Sequence, residues 1–155
     1  GLLVLGAGDP ALEAAMRGLE AQFPGRVAVR IGYDEALSRR MFAGGDAVLV
    51  PSRFEPCGLT QMYGLRFGTL PVVSAVGGLG DTVINATPAA LAAGAATGIV
   101  FHPVDGLAFA QALRRLLVLH GSPDWAAVQA AAMRQPVGWE RSAADYAALY
   151  AGLRP

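Results

Sequence analysis

Short apolar runs alternate along this chain with longer stretches of helical periodicity. The runs are LLVLG (2–6), VAVRI (27–31), AVLVP (47–51), LPVVSAV (70–76) and TGIVF (97–101). Most are closed by glycine, proline or a polar cluster, the pattern of strands buried on both faces of a parallel sheet. The spacing between them predicts helices. Asp9 and Pro10 read as N-cap and first residue of a helix over 10–22. Pro24-Gly25 is a turn. Asp34 caps a helix to about residue 43, which Gly44-Gly45 ends. A helix over 58–67 stops at Gly68. Gly77-Gly78 turns into a short helix near 80–85. Helices at about 105–119, 123–134 and 139–152 complete the chain, with Ser122-Pro123-Asp124 opening the second of these. This alternation predicts an α/β fold, a Rossmann-like three-layer sandwich with a parallel sheet. Ligands of such sheets bind beyond the carboxyl ends of the strands. The loops to watch are therefore 6–9, 32–34, 51–58, 77–81 and 102–105.

Composition narrows the choices. The 155 residues suit one domain, large enough to need no disulfide or metal staple. Apolar residues make up 54% of the chain, yet no run reaches the roughly 18 residues of a membrane span. Much of that apolarity is alanine, which soluble helices tolerate well. Twelve basic residues, all arginine, balance twelve acidic ones. Nucleic acid and anionic membranes both favour a basic excess, so neither is expected as a partner. The single cysteine, Cys57, cannot form an internal disulfide, which fits a reducing, cytoplasmic setting. No signal peptide is visible. A buried-strand pattern at residue 2 leads to the expectation that this chain is part of a longer one. No cluster has metal-ligand spacing, so neither metal nor cofactor is expected.

The stretch PSRFEPCGLTQMYGL (51–65) carries the densest chemistry. A helix starting at Gly58 would leave the amides of Gly58, Leu59 and Thr60 without intrahelical partners. They would sit at the positive end of the helix dipole, a natural phosphate seat. Gly58 lets a phosphate oxygen approach the backbone, and Thr60 adds a hydroxyl. Pro56 pushes Glu55 into an extended conformation, off the helix. A carboxylate beside a phosphate seat suits sugar hydroxyls or a cationic transition state rather than the phosphate itself. The plain alternative is that Glu55 is a solvated loop carboxylate and Cys57 a small buried hydrophobe. Arg53 either reaches the ligand of this loop or pairs with Glu55.

The run PSRFEPCGLTQMYGLRFGTLPVV (51–73), followed by GGLGDTV (77–83), resembles bacterial glycogen synthase and plant starch synthase. That family comprises retaining glucosyltransferases that move glucose from ADP-glucose to the end of an α-1,4-glucan. The likeness extends through LVLGAGDP (3–10), RIGYDEALSRR (30–40), GDAVLVPSRFEPCGL (45–59) and WERSAADYAALY (139–150). It spans essentially the whole chain, but only the C-terminal half of such an enzyme. The resemblance implies the GT-B arrangement, in which two Rossmann-like domains face each other across a cleft. Residues 1–155 would be the nucleotide-sugar domain, its partner the missing N-terminal domain, and 139–155 a terminal helix crossing back to that domain. By the same resemblance Glu55 contacts the donor glucose and supports reaction at its anomeric carbon, with Cys57 beside it. Gly58, Leu59 and Thr60 hold the distal phosphate, and Tyr33 stacks on adenine. Tyr63 stands where related sugar transferases carry a second glutamate, so no carboxylate contact to ribose is expected there. Gly78 borders the donor sugar or the acceptor, or is simply part of a turn.

One absence has consequences. The arginine and lysine with which the family neutralises the pyrophosphate lie upstream of a strand like 2–6, and the first domain's lysine-glycine motif is missing too. This chain has no lysine. Electrostatic terms of that kind often dominate catalysis, so the chain alone is expected to be inactive and to bind nucleotide weakly.

Other signals compete. Gly6-Ala7-Gly8-Asp9-Pro10-Ala11 fits the G-x-G-x-x-A dinucleotide fingerprint, but Arg30 and Ile31 stand where its acidic residue belongs. His102 reads as a solvated loop residue and His120 as a helix C-terminus, where an imidazole suits the dipole. Trp125 reads as core. Trp139, Ala143, Tyr146, Tyr150 and Leu153 form one stripe on the last helix. It packs on its own sheet or, as in the family, lies exposed toward the first domain. The alternatives to an ADP-glucose transferase are a transferase of other donor specificity, a non-catalytic nucleotide-binding module and a dinucleotide oxidoreductase.

Overall fold

The computed structural model describes residues 1–153. The chain divides into two compact units, Gly1–Gly44 and the remainder from Gly45.

In the first unit β1 (Leu2–Gly6) and β2 (Val27–Ile31) pair in parallel, Leu2 opposite Val27 and Gly6 opposite Ile31. The connection is α1 (Pro10–Gln22), and α2 (Glu35–Gly44) follows β2. Asp9 starts α1 as its composition suggests. Its extended backbone lets Oδ1 accept from the amides of Ala11 and Leu12, at 2.8 and 3.1 Å. Asp34 does the same for α2, accepting from Leu37 N at 2.9 Å. Glu20 ties α1 to β2 by accepting from Val29 N at 3.0 Å. No described residue of this unit is buried.

The second unit contains β3 (Ala47–Val50), β4 (Leu70–Ser74) and β5 (Ile99–Phe101), all parallel, in the order β3-β4-β5. Its helices are α3 (Thr60–Phe67), α4 (Gly77–Thr82), α5 (Pro88–Ala92), α6 (Gly106–His120), α7 (Trp125–Met133) and α8 (Glu140–Gly152). Every residue of the central strand β4 is buried. Its side chains alternate between two apolar clusters. Val72 packs with Ile99, Phe101, Ala108 and Ala112, and Val73 with Val50, Leu79 and Val83. A third cluster joins Leu65, Leu70, Leu119, Val128 and Ala132, with Trp125 against it. His120 meets the Trp125 ring edge-on, with centroids 4.7 Å apart. Parallel strands buried on both faces require this double cover, and the α/β class expected from the sequence is the one observed.

Three details differ from expectation. The helix expected from Gly58 begins at Thr60, because Gly58 has a φ of +72° that no right-handed helix accommodates. The helix expected near 80–85 begins at Gly77. The fifth strand begins at Ile99. Before it, Thr97 Oγ1 accepts from Ile84 N at 2.8 Å, and Gly98 forms an isolated bridge to Asn85. Helix α5 was not foreseen, although Thr87 caps it from its side chain. All described residues of α8 are exposed, among them Ala143, Tyr146 and Tyr150 of the stripe, and so are the flanking stripe residues Trp139 and Leu153.

Candidate functional site

Strand β3 ends at Val50, and residues 51–59 run from it to α3 at the carboxyl end of the second sheet. This loop is held at several points. The buried Ser74, last residue of β4, donates its hydroxyl to the carbonyl of Ser52 at 2.6 Å. The amide of Gly78, in the first turn of α4, donates to the carbonyl of Pro56 at 3.3 Å. The Gln61 side chain donates to the carbonyls of Cys57 and Gly58, at 3.1 and 2.9 Å.

Gly58 and the pair Gly77-Gly78 make this packing feasible. A Cβ on residue 58 would stand 2.7 Å from Gln61 Oε1, 3.1 Å from Leu79 Cδ2 and 3.2 Å from Glu55 Cγ. The Glu55 side chain therefore lies alongside Gly58. A Cβ on Gly78 would stand 2.6 Å from the Cys57 carbonyl oxygen. Backbone thus packs on backbone here, which only glycine allows.

The first intrahelical bond of α3 runs from Tyr63 N to Leu59 O, at 2.9 Å. The amides of Leu59, Thr60, Gln61 and Met62 precede it, and no side chain caps this N-terminus. The donors expected on Gly58, Leu59 and Thr60 therefore move to Leu59 through Met62 for the helix itself. Gly58 sits just outside, in the loop. No acidic residue lies in the first turn of α3, so nothing there cancels the positive end of the dipole. The half-buried Glu55 is the neighbouring carboxylate.

Helix α1 makes an instructive contrast. The fingerprint-like segment 6–11 has its amides occupied from within. Gly8 N donates to Glu13 Oε1 at 2.9 Å, and Asp9 takes those of Ala11 and Leu12. A pyrophosphate would have to displace two carboxylates to reach them.

The second unit brings together Glu55, Cys57, Gly58, Leu59, Thr60 and Gly78 around this loop, with Tyr63 at the end of the first turn of α3. Cys57 is exposed rather than a buried hydrophobe. Arg53 is exposed, and among the described residues no ion pair joins it to Glu55. Tyr33 belongs to the first unit and is 89% exposed. His102 is exposed, as expected for a loop residue. Gln61 is the participant that sequence reasoning passed over. Its only signal is its place four residues after Cys57, inside a helical pattern. Among the described residues, no group of histidine, cysteine and carboxylate side chains is arranged to hold a metal. Among the described residues, no helix is long and apolar enough to cross a membrane.

A glycogen synthase from Cereibacter sphaeroides is 71% identical over 154 residues, which is 99% of this chain and 32% of that protein. One from Paracoccus denitrificans is 61% identical over 153 residues, 98% of this chain and 32% of the relative. The chain thus spans about a third of the length of the curated relatives it matches. Among solved structures, the catalytic domain of starch synthase IV from Arabidopsis thaliana, bound to ADP and acarbose, superposes with a TM-score of 0.82. It is 32% identical, over 97% of this chain and 32% of that one. A sucrose-phosphate synthase from Thermosynechococcus elongatus superposes with a TM-score of 0.68 at 30% identity, over 97% of this chain and 38% of that one. The family described as glycosyl transferases group 1 matches residues 1–118. The chain belongs to the glycosyl transferases group 1 family.

Proposed function

We propose that this chain is the nucleotide-sugar half of a glycogen synthase, a GT-B enzyme. In this reading the whole protein transfers glucose, with retention, from ADP-glucose to the non-reducing end of an α-1,4-glucan. The observation that carries it is the uncapped N-terminus of α3, with Glu55 packed beside Gly58 at its mouth. The donor of such a reaction presents that geometry with a diphosphate and a hexose side by side. The amides of Leu59 and Thr60, with Gly58 allowing close approach, hold the distal phosphate. Glu55 faces the hexose, Cys57 and Gly78 line its floor, and Arg53 and Tyr63 flank it.

In the reaction the bond between the anomeric carbon and the phosphate oxygen lengthens, and positive charge builds on the sugar ring. Glu55 stabilises that charge, while the helix amides take up negative charge on the departing ADP. The acceptor 4-hydroxyl forms the new bond to the anomeric carbon on the face the phosphate leaves, and its proton passes to the departing diphosphate oxygen. In this reading a companion domain completes the cleft and supplies further cations for the diphosphate. The reading also carries a cytoplasmic location, where ADP-glucose and glucan meet.

Titration calorimetry of the chain with ADP, UDP and NAD tests the donor assignment. Weak binding with preference for ADP supports it, and tight NAD binding ends it. Transfer of labelled glucose to glycogen by the full-length protein tests the reaction. Preference for UDP-glucose over ADP-glucose would turn the assignment toward another donor, and absence of any transfer would favour a binding module.

A further inference from the structure

Gln61 lies in the first turn of α3 and is completely buried, with 0% exposure. The two hydrogens of its Nε2 are shared among three oxygens: Cys57 O at 3.1 Å, Gly58 O at 2.9 Å and Thr82 Oγ1 at 3.2 Å. The Thr82 hydroxyl donates onward to Gly78 O at 2.6 Å. The amide of Gly78 in turn donates to Pro56 O, in the same loop where the circuit began. A closed ring of hydrogen bonds therefore joins loop 55–58 to α4, and Gln61 is the side chain that closes it.

The other end of the same amide is unsatisfied. Among the described residues Gln61 Oε1 is buried with no hydrogen-bond partner. A buried carbonyl left unpaired is costly. If the position served packing alone, methionine or leucine would fill it without that cost. What glutamine supplies is a pair of donors where several loop and hydroxyl oxygens converge.

We propose that Gln61 is a positioning residue of the donor site, acting through loop 55–58 to hold Glu55 in fixed register with the α3 amides and the first turn of α4. The inference rests on the reading of this loop as the donor site. Gln61 itself is too buried to touch a ligand. Loss of its donors would free the carbonyls of Cys57 and Gly58 and let the preceding Glu55 drift. The α3 amides belong to the helix and would stay in place. Chemistry at the sugar should therefore suffer more than nucleotide binding.

The test is steady-state transfer by the full-length protein carrying Gln61→Met, which keeps the volume and removes both donors. The expected result is a kcat about 10- to 100-fold lower, the scale of a small misplacement of a reacting group. The KM for ADP-glucose should stay within about threefold, because binding is not what the loop register controls. A wild-type kcat with only a lowered melting temperature would make Gln61 structural and overturn the proposal. So would a raised KM at unchanged kcat. Should Gln61→Met fail to fold, Thr82 decides. Thr82→Val breaks the ring while sparing Gln61 and should lower kcat, and Thr82→Ser should restore it; equal rates in all three overturn the proposal. A wild-type protein that transfers no glucose from ADP-glucose would instead sink the donor-site reading, and this proposal with it.

Discussion

The carbonyl oxygen of Glu55 fills the space in which a side chain on Gly77 would stand. Gly77 also has a φ of +44°, and the Pro56 carbonyl oxygen lies 3.2 Å from its absent Cβ. The candidate acid and the α4 turn are thus in backbone contact, and neither can move without the other. Gly77→Ala should therefore force the loop outward. Strain at a left-handed position is of the order of 1–3 kcal/mol, and the clash adds to it. Urea unfolding should show a loss of at least that size, accompanied by weaker ADP binding in calorimetry.

Glu55→Gln keeps the shape of the side chain and removes its charge. If Glu55 stabilises the sugar cation, kcat for transfer by the full-length protein should fall about 10²- to 10³-fold. Stability should stay within about 0.5 kcal/mol, as for a substitution outside the core. Unchanged kcat in a well-folded variant would remove Glu55 from the chemistry.

Gly58→Ala tests the mouth of α3 from the other side. The new methyl group would meet Gln61 Oε1 and Leu79 Cδ2 and would have to adopt a φ of +72°. The left-handed backbone alone costs about 1–2 kcal/mol. That cost falls on stability; because the methyl group would also stand where a phosphate oxygen approaches the α3 amides, ADP titrations should show affinity reduced about tenfold or more. Affinity equal to wild type would mean that the phosphate sits elsewhere.

Asp9 offers a control. Asp9→Ala removes the acceptor for Ala11 and Leu12 and should cost about 1 kcal/mol, while Asp9→Asn should restore most of it. Hydrogen exchange in α1 is the measurement. If the fingerprint-like segment 6–11 does not hold a nucleotide, ADP affinity should be the same in both variants.

Much of the architecture was readable because single residues announce it. Asp9-Pro10 marks the start of α1 at Pro10, and Gly68, at a φ of +73°, marks the end of α3. Runs such as LPVVS can only be strands covered on both sides, which β4 is. The errors lie where glycine has two meanings. Gly58 reads equally well as a helix start or as a left-handed residue before one, and the positive φ decides for the second. Gly77-Gly78 reads as a turn, yet the helix includes both, because only glycine fits against the loop carbonyls. Helix α5 has five residues, too few for a periodicity to declare itself. Gln61 was invisible for another reason. A glutamine in a helical pattern reads as surface, and its burial depends on Cys57, Gly58 and Thr82 closing around it.

Strand β4 is flanked by neighbours on both edges and covered on both faces, so its amides should be the last to open in the second unit. Loop 51–59 hangs directly from this strand, through the Ser74 hydroxyl and the turn that follows it. If the proposed donor binds at this loop, it meets a backbone already tied down, and little of its interaction energy is spent on freezing the chain.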